Sequence, residues 1–216
     1  QLVKNLFIKI SEFGLLEADV SFSNFIGILL SKFSDYEGRN LTSFITPESV
    51  SKLMVQLLDS KDGSILDSSC GTGGFFQKIE DKYPQQKFQF YGQEISSSVL
   101  TIVKLRFAFS HKNSFQFGQP KSTLIDNQFP DLRSDGVIMH PPLNLMNWLN
   151  NETNIDPRFH YGLPPKNNAN LAWIQHAIHH LKPNGKAVIL LTENSLFSAN
   201  KSEVSIRKKI IEDNFL

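Results

Sequence analysis

The chain has a single cysteine, Cys70, among 216 residues, which excludes an intramolecular disulfide framework and suits a reducing compartment. Long apolar runs are missing too. The longest, Phe25 to Leu30 and Ala187 to Leu191, fall far short of the roughly 20 residues that cross a bilayer, and no basic, apolar, cleavage-site order opens the chain. Charge of one sign is scarce: 22 Lys and Arg against 21 Asp and Glu leave a net charge of +1. Such a chain lacks the field with which a protein holds nucleic acid unaided, so any DNA contact has to be local or shared with a partner. No internal repeat or low-complexity tract occurs. A cytoplasmic globular protein without a membrane segment is the expectation.

What is present suits one sizeable core, with 40% hydrophobic and 20% charged residues. Residues 2 to 33 place Phe22, Phe25, Ile26, Leu29, Leu30 and Phe33 at helical spacing, and the polar stretch Asp35 to Asn40, with Gly38, ends the pattern. This reads as the end of a helical region over 1–42, ahead of a main domain over 43–216. Thr46-Pro47-Glu48 has the order N-cap, N1 proline, early acid, and predicts a helix whose sheet-facing side holds Val50, Leu53, Met54, Leu57 and Leu58. Strands are then expected at Ser64 to Asp67, Lys87 to Glu94, Ser114 to Phe117, Asp135 to Met139 and, buried, Lys186 to Thr192. Between and after them fall helices from Gly73 to Asp81, Ser96 to Phe109, Asn170 to Leu181 and Ser202 to Asp213, with a turn at Pro183-Asn184-Gly185. That alternation predicts an α/β fold, a mostly parallel sheet with helices on both faces. The chain begins at Gln1 and stops at Asn214-Phe215-Leu216, where a new apolar strand would start, so a piece of a longer protein is expected.

Two strand ends carry the chemistry. Asp67-Ser68-Ser69-Cys70-Gly71-Thr72-Gly73-Gly74 follows the first strand, and His140-Pro141-Pro142-Leu143 ends a later one. Glycines in a turn at the carboxyl end of a strand let backbone N–H groups approach a ligand. The turn is neither G-x-G-x-x-G nor a lysine-bearing phosphate loop, which disfavours a pyrophosphate. Asp67 suits a cationic or amino-bearing ligand, and Glu94, ending the next strand, stands where an acid takes both ribose hydroxyls. An adenosine with an amino acid tail meets both demands, and S-adenosylmethionine is such a molecule.

The ordered set Phe44-Ile45-Thr46-Pro47, Asp67 to Phe76, Gly92-Gln93-Glu94, His140-Pro141-Pro142-Leu143, Asn170 to His176, Ser195-Leu196-Phe197 and Ile206-Arg207-Lys208 resembles the catalytic M subunit of type I restriction-modification DNA adenine methyltransferases. The resemblance runs from about Phe22 to the end of the chain. It implies a Rossmann-like S-adenosylmethionine-dependent methyltransferase fold, C-terminally incomplete here, that methylates adenine N6. It also implies work on DNA beside a specificity (S) subunit, with a restriction (R) subunit in the assembly. By the same resemblance Thr46, Pro47, Asp67, Gly71, Thr72, Gly73, Gly74 and Glu94 surround the cofactor. Ser122 stands where the family has an Asp that holds the adenine amine of the cofactor. His140, Pro141, Pro142 and Leu143 stand at the family's N-P-P-F, whose Asn accepts bonds from the amine of a flipped-out adenine while the aromatic stacks on the base.

His140 and Leu143 depart from that pattern on the chemistry itself, as Ser68 and Ile45 do for its Pro and Tyr. These departures raise a second reading, a weakened or silent cofactor-binding subunit of the same complex. A third, methylation of a protein glutamine or an RNA amine, uses a similar corner without support in the helical lead-in or the tail. His176 and His180 share metal-pair spacing, but no Glu follows the first, so a structural role is expected. Cys70 reads as a small buried side chain. Lys201, Arg207, Lys208 and Lys209 form a basic helix face, either solvated or touching phosphate. Trp148 and Phe159 lie in the loop where the family keeps residues that approach DNA or partners.

Overall fold

The computed structural model describes residues 46–108, 110–149 and 156–215. The helical region expected over 1–42 lies outside the described residues. Helix α1 (Glu48–Leu58) leads into strand β1 (Gly63–Asp67), then α2 (Gly74–Lys82), β2 (Phe88–Gly92), α3 (Ser97–Phe107) and β3 (Ser114–Phe117). The chain returns through β4 (Ser134–Met139), a short 3-10 turn at Pro157–Phe159, α4 (Asn170–His179), β5 (Leu181–Ile189), α5 (Asn194–Phe197) and α6 (Lys201–Glu212). All pairings are parallel in a five-stranded sheet of order β3-β2-β1-β4-β5. The expected α/β fold is therefore the observed one. Among the described residues no helix is long and apolar enough to cross a membrane.

Alternating side chains feed two cores, because successive residues of a strand point to opposite faces. Ile65, Phe88, Phe90 and Ile138 pack with Met54, Val55, Leu58, Phe76, Ile79 and Val103 of α1, α2 and α3. Leu66, Val137 and Met139 pack on the other face with Ala172, Trp173 and Ala177 of α4. Tyr161, Leu171, Ile206 and Ile210 join α4 to α6.

Four expectations need correction here. The buried stripe of α1 is Ser51, Met54, Val55 and Leu58, while Leu53 and Leu57 are 54% and 56% exposed, so the helix is rotated from the face first read. Pro47, not Thr46, is the N-cap, and no side chain caps the helix. The Pro183-Asn184-Gly185 turn is not separate from the last strand but a bulge within it: Ser134 pairs with Leu181 and Gly136 already with Lys186. That strand is half-buried rather than buried, because β5 lies at the edge of the described sheet.

Strand order reverses direction between β1 and β4, since the chain moves outward through β2 and β3 and then returns to the other side of β1. Loops leaving two such strands diverge and open a crevice at their carboxyl ends. β1 delivers Asp67 to that crevice, and β4 delivers His140.

Candidate active site at the carboxyl ends of β1, β2 and β4

Asp67 is buried at the end of the central strand. Its Oδ1 accepts from the Ser69 backbone N–H at 3.0 Å and the Ser69 hydroxyl at 3.5 Å. The chain then turns through Gly71 and Gly73 at φ 51° and 78°, left-handed values that a side chain resists. A Cβ on Gly73 would also stand 2.5 Å from the Phe107 ring, so a larger residue would force α2 away from α3. The Gly71 N–H donates to Glu94 Oε2 at 3.1 Å, and Glu94 Oε1 accepts from the Ser96 N–H at 2.8 Å. Glu94 thus ties the turn after β1 to the start of α3, and its second lone pairs remain for hydroxyl donors.

Burial lifts the Asp67 carboxyl to about 8, with the nearby Glu94 charge adding to the rise and the Ser69 bonds opposing it. Among the described residues no cationic side chain pairs with it. A carboxyl held this way favours a ligand that brings positive charge or N–H donors. An amino acid tail and a ribose therefore fit Asp67 and Glu94 respectively.

At the second strand end, His140 is half-buried, and burial holds its imidazole below the ordinary range. Its Nδ1 lies 3.0 Å from the Thr46 hydroxyl. Pro141 is buried, whereas Leu143 is 43% exposed at the mouth. Asn170, fully buried at the start of α4, holds the corner in place. Its Oδ1 accepts from the Asn144 N–H at 3.0 Å, and its Nδ2 lies within 3.1 Å of Asn144 Oδ1, Thr192 Oγ1 and Ser195 Oγ. The loops after β4 and β5 are thereby fixed to one amide.

Beneath the crevice runs a buried polar chain that sequence reasoning missed. Arg158, itself buried, donates to Thr123 O at 2.8 Å, Leu124 O at 2.9 Å and Asp156 Oδ2 at 2.6 Å. Its Nη1 also lies 3.0 Å from His176 Nδ1, and His176 Nε2 lies 2.7 Å from Ser68 Oγ. A guanidinium can only donate, so His176 accepts at Nδ1 and carries its proton on Nε2, toward Ser68. The Thr123 hydroxyl donates to Ser68 O at 2.6 Å, which brings the loop holding half-buried Ser122 beside the glycine turn. The visible signal was the acid two positions before Arg158, but no spacing rule points from it to Ser68.

The remaining expectations divide. Cys70 is buried, and burial pushes its thiol well above the ordinary value. His180 Nδ1 lies 2.8 Å from Leu132 O and its Nε2 lies 3.0 Å from Asn127 Nδ2, so both imidazoles of the His176/His180 pair have protein partners. Trp148 and Phe159 are buried against each other at 5.4 Å, with the indole N–H donating to Pro165 O, which removes them from any contact surface. On the basic face of α6, Lys201, Lys208 and Lys209 stay exposed. Arg207 donates to Ser195 O and Ser198 O, Lys209 donates to Tyr161 O, and Lys208 pairs with Glu212 at 3.7 Å.

A reversal-point crevice with an acid-glycine turn on one lip and a Pro-Pro corner on the other defines a class, the doubly wound methyltransferases. A putative class I S-adenosylmethionine-dependent methyltransferase from Listeria monocytogenes shares the fold at a TM-score of 0.67 and 18% identity, over 88% of this chain and 58% of that one. Within that class the chain belongs to the N-6 DNA methylase family, which it matches over residues 18–216. It is 35% identical over 194 residues to the type I restriction enzyme HindI methylase subunit of Haemophilus influenzae, covering 84% of this chain and 42% of that protein. The crystal structure of the methyltransferase subunit of a type I restriction-modification system from Streptococcus thermophilus superposes at a TM-score of 0.67 with 28% identity, over 78% of this chain and 38% of that chain. The chain thus spans less than half the length of these two relatives.

Proposed function

We propose that the chain is the catalytic segment of an S-adenosylmethionine-dependent adenine-N6 DNA methyltransferase, the modification subunit of a type I restriction-modification system. The observation that carries this reading is the meeting, at one reversal point, of the Asp67-Glu94 turn and the His140-Pro141-Pro142-Leu143 corner. Residues 43–216 form the methyltransferase domain. Thr46, Pro47, Asp67, Gly71, Thr72, Gly73, Gly74, Glu94 and Ser122 line the cofactor side. S-adenosylmethionine supplies a methyl group on a sulfonium, an electrophile ready for an amine. Glu94 accepts from ribose hydroxyls, and Asp67 holds the amino acid end. The corner holds a base amine through acceptors at residue 140 and the backbone after it, so that proximity and alignment contribute most of the rate. With a net charge of +1, DNA is held jointly with a specificity subunit, and a restriction subunit completes the assembly in the cytoplasm.

Titration calorimetry of the chain with S-adenosylmethionine tests the cofactor half. Micromolar binding that falls at least about tenfold in Glu94→Ala supports it, and no binding by the folded chain refutes it. Transfer of labelled methyl groups to DNA by the assembled complex tests the rest. A silent cofactor-binding subunit is the second reading, favoured by His140 and by the exposed Leu143. It predicts binding without transfer, and a large gain of transfer in His140→Asn with Leu143→Phe.

A further inference from the structure

Thr46 precedes the proline that opens α1, yet its hydroxyl does not cap that helix. It lies 3.0 Å from His140 Nδ1, across the crevice in sequence by 94 positions. Burial holds the His140 ring below its ordinary pKa of 6.5, so at neutral pH the ring is uncharged and carries one proton on one of its two nitrogens. The choice of nitrogen decides what the corner can do. A threonine hydroxyl either donates to a bare Nδ1 or accepts from Nδ1–H. In the first case Nε2–H is a donor, and a donor facing an amine binds the lone pair that has to attack. In the second case Nε2 is a bare acceptor for an amine hydrogen, the task an amide oxygen performs at the family's Asn. The threonine proton then stays available to a further acceptor.

We propose that Thr46 is a positioning residue that accepts from His140 Nδ1–H and so leaves His140 Nε2 as the acceptor for one hydrogen of a base amine. The arrangement makes histidine at this corner a working replacement for an amide and depends on the partner that the α1 lead-in supplies. It rests on the methyl-transfer reading above for the identity of the amine, whereas the tautomer itself is a property of the chain alone.

Nitrogen-15 NMR of the six histidines in the 216-residue chain, with His140 assigned by its loss in His140→Asn, reads the tautomer directly. Wild type shows a protonated Nδ1 and a bare Nε2. Thr46→Val shifts the proton to Nε2, and Thr46→Ser keeps it on Nδ1. A wild-type ring protonated at Nε2, or a Thr46→Val ring unchanged, overturns the proposal. Methyl transfer adds a second arm in the assembled complex. Thr46→Val lowers kcat by about tenfold or more with His140 present. In the His140→Asn background, where the amide accepts whatever Thr46 does, the loss shrinks to about twofold. An equal loss in both backgrounds overturns the role of Thr46. No transfer by wild type refutes the methyltransferase reading, while the NMR result still decides the tautomer.

Discussion

Asp67 stands at the point where stability and function diverge. It is buried at the end of the central strand, and its carboxyl is raised to about 8 by that burial. The folded chain therefore carries an acid that water would stabilise better, and only a ligand with a cationic or N–H-bearing end relieves the cost. Replacement by Asn keeps the shape and the acceptor for the Ser69 N–H, seen at 3.0 Å, but removes the titration and with it the negative charge a cationic ligand end would draw out. Asp67→Asn is expected to raise the cofactor-free stability at pH 7.5 by roughly 1 to 4 kcal/mol and to weaken S-adenosylmethionine binding by about tenfold or more. Urea denaturation and calorimetry on the same preparation check both halves. A variant that is less stable and binds unchanged would remove Asp67 from the cofactor site. Gains in stability on removing an active-site charge are a common mark of functional strain.

Among the elements, the segment 156–159 does most to join parts distant in sequence. Arg158 reaches Asp156, two carbonyls of the loop after β3, and His176 on α4, which reaches Ser68 in the glycine turn after β1. Arg158→Leu leaves two buried carbonyls and His176 Nδ1 without their donor and takes the guanidinium from half-buried Asp156, and the expected loss is about 3 to 5 kcal/mol in urea denaturation. A loss below about 1 kcal/mol would mean that water replaces the guanidinium there. This network was not legible in the sequence, because each of its contacts crosses between loops and none follows a period. What was legible followed from local rules. The alternation of Phe88, Phe90 and Gly92 set the faces of β2, and the glycines at 71, 73 and 74 marked the turn. Failures occurred where tertiary packing overrode a local signal. Thr46-Pro47-Glu48 has the spacing of a cap, yet the threonine is drawn off to His140. Leu53 and Leu57 fit a helical face as well as Met54 and Leu58 do, and only the direction of the sheet decides which pair is buried.

For the molecule as a whole, the buried titratable groups predict an unusual dependence of stability on pH. Burial holds His176 well below its ordinary 6.5 and brings His180 down to about 4. The unfolded chain takes up protons that these folded imidazoles refuse. Their stability is therefore present in full above about pH 6.5 and is lost as pH falls toward the folded values. Asp67 acts in the opposite sense. Its folded value of about 8 exceeds the ordinary 3.8, so its contribution is full below the ordinary value and is lost as pH rises through 8. Below pH 6.5 these histidine protons, joined by those of His140 and His179, whose rings burial also holds down, outweigh the one carboxyl proton of Asp67, and stability climbs with pH. Between pH 6.5 and 8 Asp67 acts alone, and stability falls by roughly 2 kcal/mol. The cofactor-free chain is thus expected to be most stable near pH 6.5. A denaturation series from pH 5 to 9 on wild type and Asp67→Asn separates the two limbs. The variant keeps the acid limb and reaches a plateau above it, whereas a wild-type curve already flat from 6.5 to 8 would show that Asp67 is ionised in the folded chain. Saturating S-adenosylmethionine is expected to flatten the same limb in wild type, because a cationic ligand end lowers the carboxyl toward its ordinary value.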